Sequence, residues 1–296
     1  MDQEPKAPTY RENIEPCYLC GASYFTDRKG TVRDDSSLRV VECGGCGLVT
    51  LSSREHIRAG HYEGSGMHGE IAPSVDAWLR QSEIDDERRV RMLQSALTNR
   101  RVLDVGSGAC GFVRKAQAFA REIAAVEPER RIAEYWAGEM TIYPSIEAAG
   151  DGYDLITAFH VVEHLPQPRE TLKSWATRLA PGGRLVIEVP NAEDALLTLY
   201  ECDAFQRFTY WSQHLFLFNA DTMRQLATQA GLRVASVQQY QRYPLSNHMH
   251  WLSQGKPGGH QRWSFLDTDT LSEAYAASLA AIGKCDTIVT YLERAS

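Results

Sequence analysis

Two hydrophobic periodicities alternate along the chain from about residue 100 onwards. Short apolar runs that end at Gly or Pro predict strands, and apolar residues three or four positions apart among polar ones predict helices. The predicted strands are 101–105, 122–128, 140–146, 153–161, 184–191, 232–241 and 286–294. The predicted helices are 74–97, 112–120, 128–138, 168–180, 220–230 and 269–282. This alternation predicts an α/β fold with a doubly wound, mostly parallel sheet.

The region before residue 100 has a different pattern, and it divides the chain into four parts. Residues 1–15 are polar and predict a flexible tail, and residues 16–51 are rich in Gly and Cys. Residues 52–98 predict a lid followed by a connecting helix, and residues 99–296 form the α/β domain with an insertion at 243–283. A segment as poor in large apolar residues as 16–51 needs a covalent or metal staple to fold.

Composition restricts the classes of function and cellular setting. The 296 residues carry a formal net charge of −7, which argues against a chain built mainly to bind nucleic acid. There is no apolar run near the roughly 20 residues that span a bilayer, and the first residues do not resemble a signal peptide. We therefore expect a cytoplasmic protein whose seven cysteines are reduced.

Four of these cysteines form two CxxC pairs, Cys17–Cys20 and Cys43–Cys46, and a glycine directly follows each pair. Four thiolates at this spacing are typical of a tetrahedral structural zinc site, which would staple residues 16–51 as a zinc ribbon. The alternative is one redox CxxC and one coincidence. Residues 1–60 hold eight Lys or Arg and nine Asp or Glu, so no basic face for nucleic acid is expected. The other three cysteines are interpreted as core or loop residues: Cys110, Cys202 and Cys285.

A glycine loop, GSGACG at 106–111, lies between the first strand and the first helix of the α/β domain. Such loops let a ligand approach a helix N-terminus, and alone this one fits a nicotinamide cofactor or a nucleoside. Asp104, just before the loop, suits the cationic amino-acid end of S-adenosylmethionine. Glu127, at the end of the second strand, can accept hydrogen bonds from ribose hydroxyls.

Residues 100–292 resemble class I S-adenosylmethionine-dependent methyltransferases through five motifs. These are LDVGSGACGF, VEP, YDLITAFHVVEHL, LAPGGRLVIEVPN and QHLFLFNADTMRQLATQAGLRV. The CxxC pairs and HYEGSG at 61–66 are similar to a subset that includes sugar C-methyltransferases and methyltransferases of polysaccharide pathways.

The resemblance implies a Rossmann-like sheet of seven strands, with the last strand antiparallel, and a set of cofactor-binding residues. Asp104, Gly106 and Gly108 would line the methionine end, Glu127 would hold the ribose, and residues 143–146 would flank the adenine. The remaining cofactor contacts that it implies are Ser107, Pro128, Ser145, Ile146 and Phe159.

The sequence HVVEH places His160, Glu163 and His164 at the end of the fourth strand. The HxxEH pattern also occurs in zinc peptidases, where both histidines lie on one helix face. Pro166 and Pro168 disfavour such a helix here. Methyl transfer needs a group that removes a proton from the acceptor, and histidine titrates near the working pH. By resemblance, His164 is the base, Glu163 orients it, and His160 is the competing base.

Acceptor-binding residues are expected in loops at the carboxyl ends of the strands. These loops are rich in polar and aromatic groups, which suits a small hydroxylated molecule such as a sugar or a nucleotide-linked sugar. The candidates are Tyr62, Asn191, His214, Asn247, His248 and Trp251. The alternatives are methylation of an aromatic natural product or of RNA, a catalytically silent cofactor-binding protein, and a nicotinamide oxidoreductase. The sequence does not predict the oligomeric state.

Overall fold

The computed structural model describes residues 9–10, 14–57, 61 and 72–295. They form two compact units, one of residues 1–56, 190–226 and 238–288, and the other of residues 57–189, 227–237 and 289–296. Most of the predicted tail and lid, including Tyr62, lies outside the described residues, and the domain boundaries given above stay a prediction. Within the described part of the chain, no helix combines the length and the apolar character needed to cross a membrane.

One sheet of the described residues has seven strands: β5 (Arg101–Val105), β6 (Glu122–Val126), β7 (Ile142–Tyr143), β8 (Tyr153–Phe159), β9 (Leu179–Pro190), β11 (Leu232–Tyr240) and β12 (Thr287–Arg294). Their order in the sheet is β11-β12-β9-β8-β5-β6-β7. Strands β5 to β9 pair in parallel. The predicted α/β class is therefore confirmed.

Helix α1 (Val75–Leu97) precedes the first strand of this sheet, and four further helices lie between its later strands in the chain. These four are α2 (Gly111–Ala116), α3 (Arg130–Tyr135), α4 (Pro168–Thr177) and α7 (Ala220–Gln229). Ser74 caps α1 by accepting a hydrogen bond from the backbone N–H of Ala77. Leu93 and Leu97 of α1 are fully buried, as the predicted helical spacing requires. Helix α1 thus begins and ends almost where the sequence predicts it.

One predicted boundary, the end of helix α4, is wrong. The helix was expected to run to residue 180 and to stop at Pro181, but it ends at Thr177. Leu179 already belongs to β9 and pairs with Tyr153 of β8, and a register irregularity follows between Tyr153 and Leu155. Residues 179–183 therefore belong to strand β9 and not to the helix, because a register irregularity lets a strand include extra residues.

A second sheet, in the first unit, is antiparallel, and its strands are β1 (Thr9–Tyr10), β2 (Tyr24–Asp27), β3 (Val40–Cys43), β4 (Val49–Leu51) and β10 (Phe216–Leu217). Their order in the sheet is β1-β2-β3-β4-β10. Strand β10 pairs with β4, with Phe216 opposite Thr50. The N-terminal strands are therefore joined by a segment that lies more than 150 residues later in the chain.

The first unit also contains α5 (Ala195–Thr198), α6 (Asp203–Thr209), α8 (Leu245–Gln254), α9 (Gly259–Arg262) and α10 (Asp269–Ala281). The sequence predicted a loop at 243–251, and the structure corrects this to helix α8. His248 and Trp251, three positions apart, both lie on the buried side of α8. Pro244 stands at the N-terminal boundary of the helix, where a missing N–H costs nothing.

Candidate active site

The order of the parallel strands reverses on either side of β5, which pairs with β6 and with β8. Open α/β sheets bind ligands at such a switch point, outside the carboxyl ends of the strands. The glycine loop follows β5, Glu127 follows β6, and His160 follows β8. All of these candidate residues belong to one compact unit.

The glycine loop is built so that only glycine fits at two positions. Gly106 and Gly108 have φ values of +69° and +51°, in the left-handed region. A Cβ on Gly106 would lie 2.5 Å from a methyl carbon of Val161, and a Cβ on Gly108 would lie 2.7 Å from the Trp78 ring. The loop therefore presents bare backbone next to an aromatic side chain of α1.

Asp104 and Glu127 are buried carboxyl groups beside this loop. Asp104 accepts a hydrogen bond of 2.6 Å from the Thr157 hydroxyl. Glu127 accepts hydrogen bonds from the backbone N–H groups of Gly108, at 2.8 Å, and Glu129, at 3.0 Å. Burial raises the pKa of both carboxyls to about 7. Two desolvated acids of this kind favour a ligand that brings a positive charge and hydroxyl donors.

The HVVEH segment turns sharply where β8 ends. His160 has a φ of +56°, which is strained for a residue with a side chain. A three-residue 3₁₀ helix, Val162–His164, follows it. The two histidines therefore do not share a face of one helix, and the zinc-peptidase interpretation is excluded by this geometry. Glu163 and His164 are both buried, with exposed fractions of 1% and 6%.

His160 lies between two carboxylates. Its Nδ1 is 3.1 Å from Glu163 Oε1, and its Nε2 is 3.3 Å from Glu188 Oε1. Glu163 thus contacts His160 through Oε1, and its predicted role in orienting His164 stays a prediction.

Glu188 is the centre of an ionic cluster that connects β9 to α1. It is fully buried, and its Oε1 accepts hydrogen bonds of 2.8 Å from Arg88 and 2.7 Å from Arg89. Burial alone would raise the pKa of Glu188, but Arg89, His160 and Arg88 hold that pKa well below its usual range. Arg88 and Arg89 are themselves buried, and Arg88 also contacts Asp85.

Sequence reasoning missed Glu188, Arg88 and Arg89. A signal was available in the sequence, because Glu188 is a lone acid within the apolar run LVIEVP. Two adjacent arginines within the helical pattern of 74–97 are the matching cations. Buried charges occur in proteins almost always as pairs, so this combination predicts a partnered ion cluster.

The other cofactor residues that the resemblance implies lie at various depths in the fold. Ile146 is buried at the start of a 3₁₀ helix that follows β7, and Ser145 precedes it. Phe159 packs edge-on against Phe112, and the Arg89 guanidinium lies 4.6 Å from its ring centre. No geometry tests whether these residues touch a cofactor, so their assignment stays a prediction.

The four N-terminal cysteines come together in the first unit, and one ligand atom from each lies within 4.8 Å of the others. Sγ of Cys17 is 3.5 Å from that of Cys46, and Sγ of Cys20 is 3.4 Å from that of Cys43. Both CxxC pairs form the same turn, in which the N–H of the glycine after the pair donates to the carbonyl of the first cysteine at 2.8 Å. This arrangement suits a tetrahedral metal ion bound by sulfur.

The predicted acceptor-binding residues of the first unit are mostly engaged with backbone or core. The Asn191 amide donates to the carbonyls of Cys285, at 2.7 Å, and Gly283, at 3.1 Å. Asn247 accepts from the N–H of Gly258 at 3.1 Å, and Trp251 packs against Phe205 and Phe208. His248 is 2% exposed and contacts the Tyr275 hydroxyl at 2.7 Å, and His214 Nδ1 lies 3.2 Å from the carbonyl of Thr209. Their role toward an acceptor stays a prediction.

Comparisons with known proteins agree with this geometry. A family model described as a methyltransferase domain matches residues 78–237, just over half of the chain. The ubiquinone biosynthesis O-methyltransferase of Aeromonas salmonicida (strain A449) is 28% identical over 114 residues, which are 37% of this chain and 48% of that protein. The match thus spans about half the length of that relative.

A solved structure shows the same fold. The crystal structure of an S-adenosylmethionine-dependent methyltransferase from Archaeoglobus fulgidus matches with a TM-score of 0.50 at 18% identity, over 74% of this chain and 99% of that one. At this identity the likeness shows the Rossmann-like methyltransferase fold alone.

Proposed function

This chain belongs to the methyltransferase-domain family, and from that premise we propose that it transfers a methyl group from S-adenosylmethionine to a small hydroxylated acceptor, namely a sugar or a nucleotide-linked sugar. The observation that carries the proposal is the pair of buried carboxyls, Asp104 and Glu127, beside a glycine-rich loop at the switch point of the sheet.

The residues at this switch point fit the proposed cofactor. Asp104 would hold the amino-acid end, because an ammonium group offsets the cost of a buried carboxylate. Glu127 already accepts two backbone N–H groups, and a carboxylate has further lone pairs for the ribose hydroxyls. When bound, S-adenosylmethionine supplies an electrophilic methyl group.

The acceptor atom that takes the methyl group must lose a proton, and we assign the removal of that proton to His164. A histidine at the carboxyl end of β8 lies at the edge of the sheet where ligands bind. Its reference pKa near 6.5 suits a base that works at neutral pH. We keep the structural zinc in the proposal as well, because a closed site of Cys17, Cys20, Cys43 and Cys46 leaves no open position for chemistry.

A second candidate is O-methylation of a hydroxylated aromatic acceptor. The observation that favours it is the relative whose name gives O-methyl transfer in ubiquinone biosynthesis. Both candidates require the same cofactor and a base that removes a proton from the acceptor, and they differ in the acceptor.

Cofactor binding is tested first, by thermal unfolding of the full chain with S-adenosylmethionine, S-adenosylhomocysteine and NAD. We expect the two sulfur cofactors to raise the Tm, because a ligand that binds only the folded state stabilises it. Stabilisation by NAD alone would refute the proposal.

Acceptor class is tested next, by measuring S-adenosylhomocysteine release with nucleotide sugars and with phenolic acceptors. Turnover with nucleotide sugars supports the first candidate, and turnover with phenols alone replaces it by the second. His164→Ala is expected to cut turnover at least roughly 100-fold while leaving cofactor affinity nearly unchanged. Full turnover in this variant would refute the assignment of the base.

A further inference from the structure

His160 makes two contacts that one neutral imidazole cannot satisfy when both partners are ionised carboxylates. Its Nδ1 faces Glu163 at 3.1 Å, and its Nε2 faces Glu188 at 3.3 Å. A carboxylate only accepts hydrogen bonds, and a neutral imidazole carries a single N–H. Both nitrogens can donate only when the ring is protonated. If both carboxyls are ionised, this geometry requires an imidazolium between them, whereas a protonated Glu163 would donate to Nδ1 of a neutral ring.

Four charges of alternating sign line up at this place. Arg89 lies 2.7 Å from Glu188, Glu188 lies 3.3 Å from His160, and His160 lies 3.1 Å from Glu163. We call Arg89–Glu188–His160–Glu163 the charge chain. It begins on α1, passes through β9, and ends in the HVVEH segment.

We propose that Glu188 is a positioning residue that holds His160 as an imidazolium and thereby keeps the buried Glu163 ionised. The inference rests on the proposed function insofar as Glu163 supports His164. Glu163 is 1% exposed, and a buried carboxylate stays charged only beside a cation. His160 supplies that cation. A protonated ring has no free lone pair, so the charge chain also removes His160 as the competing base.

Burial explains why His160 needs Glu188 to stay protonated. Burial alone disfavours the charged form of a histidine, whereas a carboxylate within about 4 Å favours it. Glu188 is ionised because burial is outweighed by Arg89, His160 and Arg88, which lower its pKa. The strained backbone of His160, with φ at +56°, directs the ring between the two carboxylates. The further ionisable groups around the charge chain are Arg88, Asp85 and Asp86 on α1, Asp104 on β5, His164, and Tyr291 on β12.

The experiment follows the ring nitrogens of His160 by NMR in full-length protein labelled at the histidine nitrogens, without cofactor or acceptor. The chain has nine histidines, and the signals lost in His160→Gln identify the pair to follow. We expect a ring that carries protons on both nitrogens at pH 7 and that titrates above the reference value for histidine, because two carboxylates face it.

Two variants should move this titration in opposite directions. Glu188→Gln removes a negative charge, so the midpoint should fall by at least about one pH unit. Arg89→Met removes a positive charge, so the midpoint should stay high or rise. A merely structural defect would move both variants the same way. The matched control is Glu293→Gln on β12, where the carboxylate pairs instead with Arg184 and Arg233.

Retention of fold is checked by circular dichroism and by S-adenosylhomocysteine binding. If Arg89→Met does not fold, the comparison of Glu188→Gln with the Glu293→Gln control decides the question. A neutral His160 ring at pH 7 in the parent protein, or a midpoint unchanged by Glu188→Gln, would overturn the proposal. Because the titration needs no methyl acceptor, absence of turnover would refute the proposed function while leaving the charge chain intact.

Discussion

Asp104 gives a prediction whose magnitude follows from the structure. Its carboxyl is 2% exposed, its described hydrogen bond comes from the Thr157 hydroxyl, and burial raises its pKa from 3.8 to about 7. We expect Asp104→Asn to remove a pH-dependent loss of stability from the ligand-free protein. The amide oxygen can still accept the Thr157 hydrogen bond, so the change acts mainly on charge.

The sign follows from proton counting. Between about pH 4 and pH 7 the folded state holds the Asp104 proton and the unfolded state does not, so the free energy of unfolding falls as pH rises through this window. A pKa difference of about three units corresponds to a full loss of about 4 kcal/mol, complete above about pH 7. About half of it, ~2 kcal/mol, is lost between about pH 5.5 and pH 8.5.

The assay is urea unfolding of the parent protein and of Asp104→Asn at those two pH values. The variant should lack ~2 kcal/mol of the parent's loss. It also loses the smaller contribution that Asp104 makes to the raised pKa of Glu127, which acts in the same direction, whereas the burial of Glu127 raises that pKa in both proteins. Asp151→Asn is the control, because it removes the same charge from an exposed position beside Arg178. Identical pH dependence in the parent and Asp104→Asn would refute the reasoning.

Two further predictions concern the first unit. Cys43→Ser is expected to lower bound zinc from about one ion per chain to near zero and to reduce the Tm, since a structural zinc site contributes directly to folding. Metal analysis by mass spectrometry measures the bound zinc. A parent protein without zinc would contradict the prediction. The Asp34 carboxylate accepts a hydrogen bond from the Ser212 backbone N–H at 2.9 Å and another from the Ser212 hydroxyl at 2.7 Å. Asp34→Ala should therefore raise KM for the acceptor several-fold with cofactor affinity unchanged, as measured by steady-state kinetics and calorimetry. An unchanged KM, or the same rise in the control Asp35→Ala, would count against it, because the hydrogen bonds described for Asp35 stay within its own turn, at Ser37 and Leu38.

The elements that local pattern determines could be predicted from the sequence. Helix α1 follows from its apolar spacing and its Ser74 cap, and the β5 strand follows from an apolar run that ends in glycines. The glycine loop and Glu127 could be located from the sequence because both directly follow a strand, and ligands in such sheets bind where the strands end. The two cysteine knuckles came together because their spacing and following glycines encode the same turn twice.

What the sequence did not show depends on contacts between distant residues. The meeting of Arg88, Arg89 and Glu188 requires knowledge of which face of α1 packs on β9, and these residues lie about 100 positions apart. Likewise, the predicted loop at 243–251 is helix α8, because packing of Trp251 against Phe205 outweighs a polar local composition. Tertiary burial overrides local propensity at such places.

The N-terminal ribbon illustrates what such a distant contact can do. The ribbon was predicted as a separate module, but its β4 strand pairs with β10, and Thr50 donates to the Leu215 carbonyl at 2.9 Å. Asp34 holds Ser212, and the Arg33 guanidinium stacks 4.4 Å from the Trp211 ring centre. Asp34 and Arg33 lie in the loop at 28–39 between β2 and β3. This loop of the ribbon therefore holds residues 211–212 in place, next to His214, which we predict to approach the acceptor.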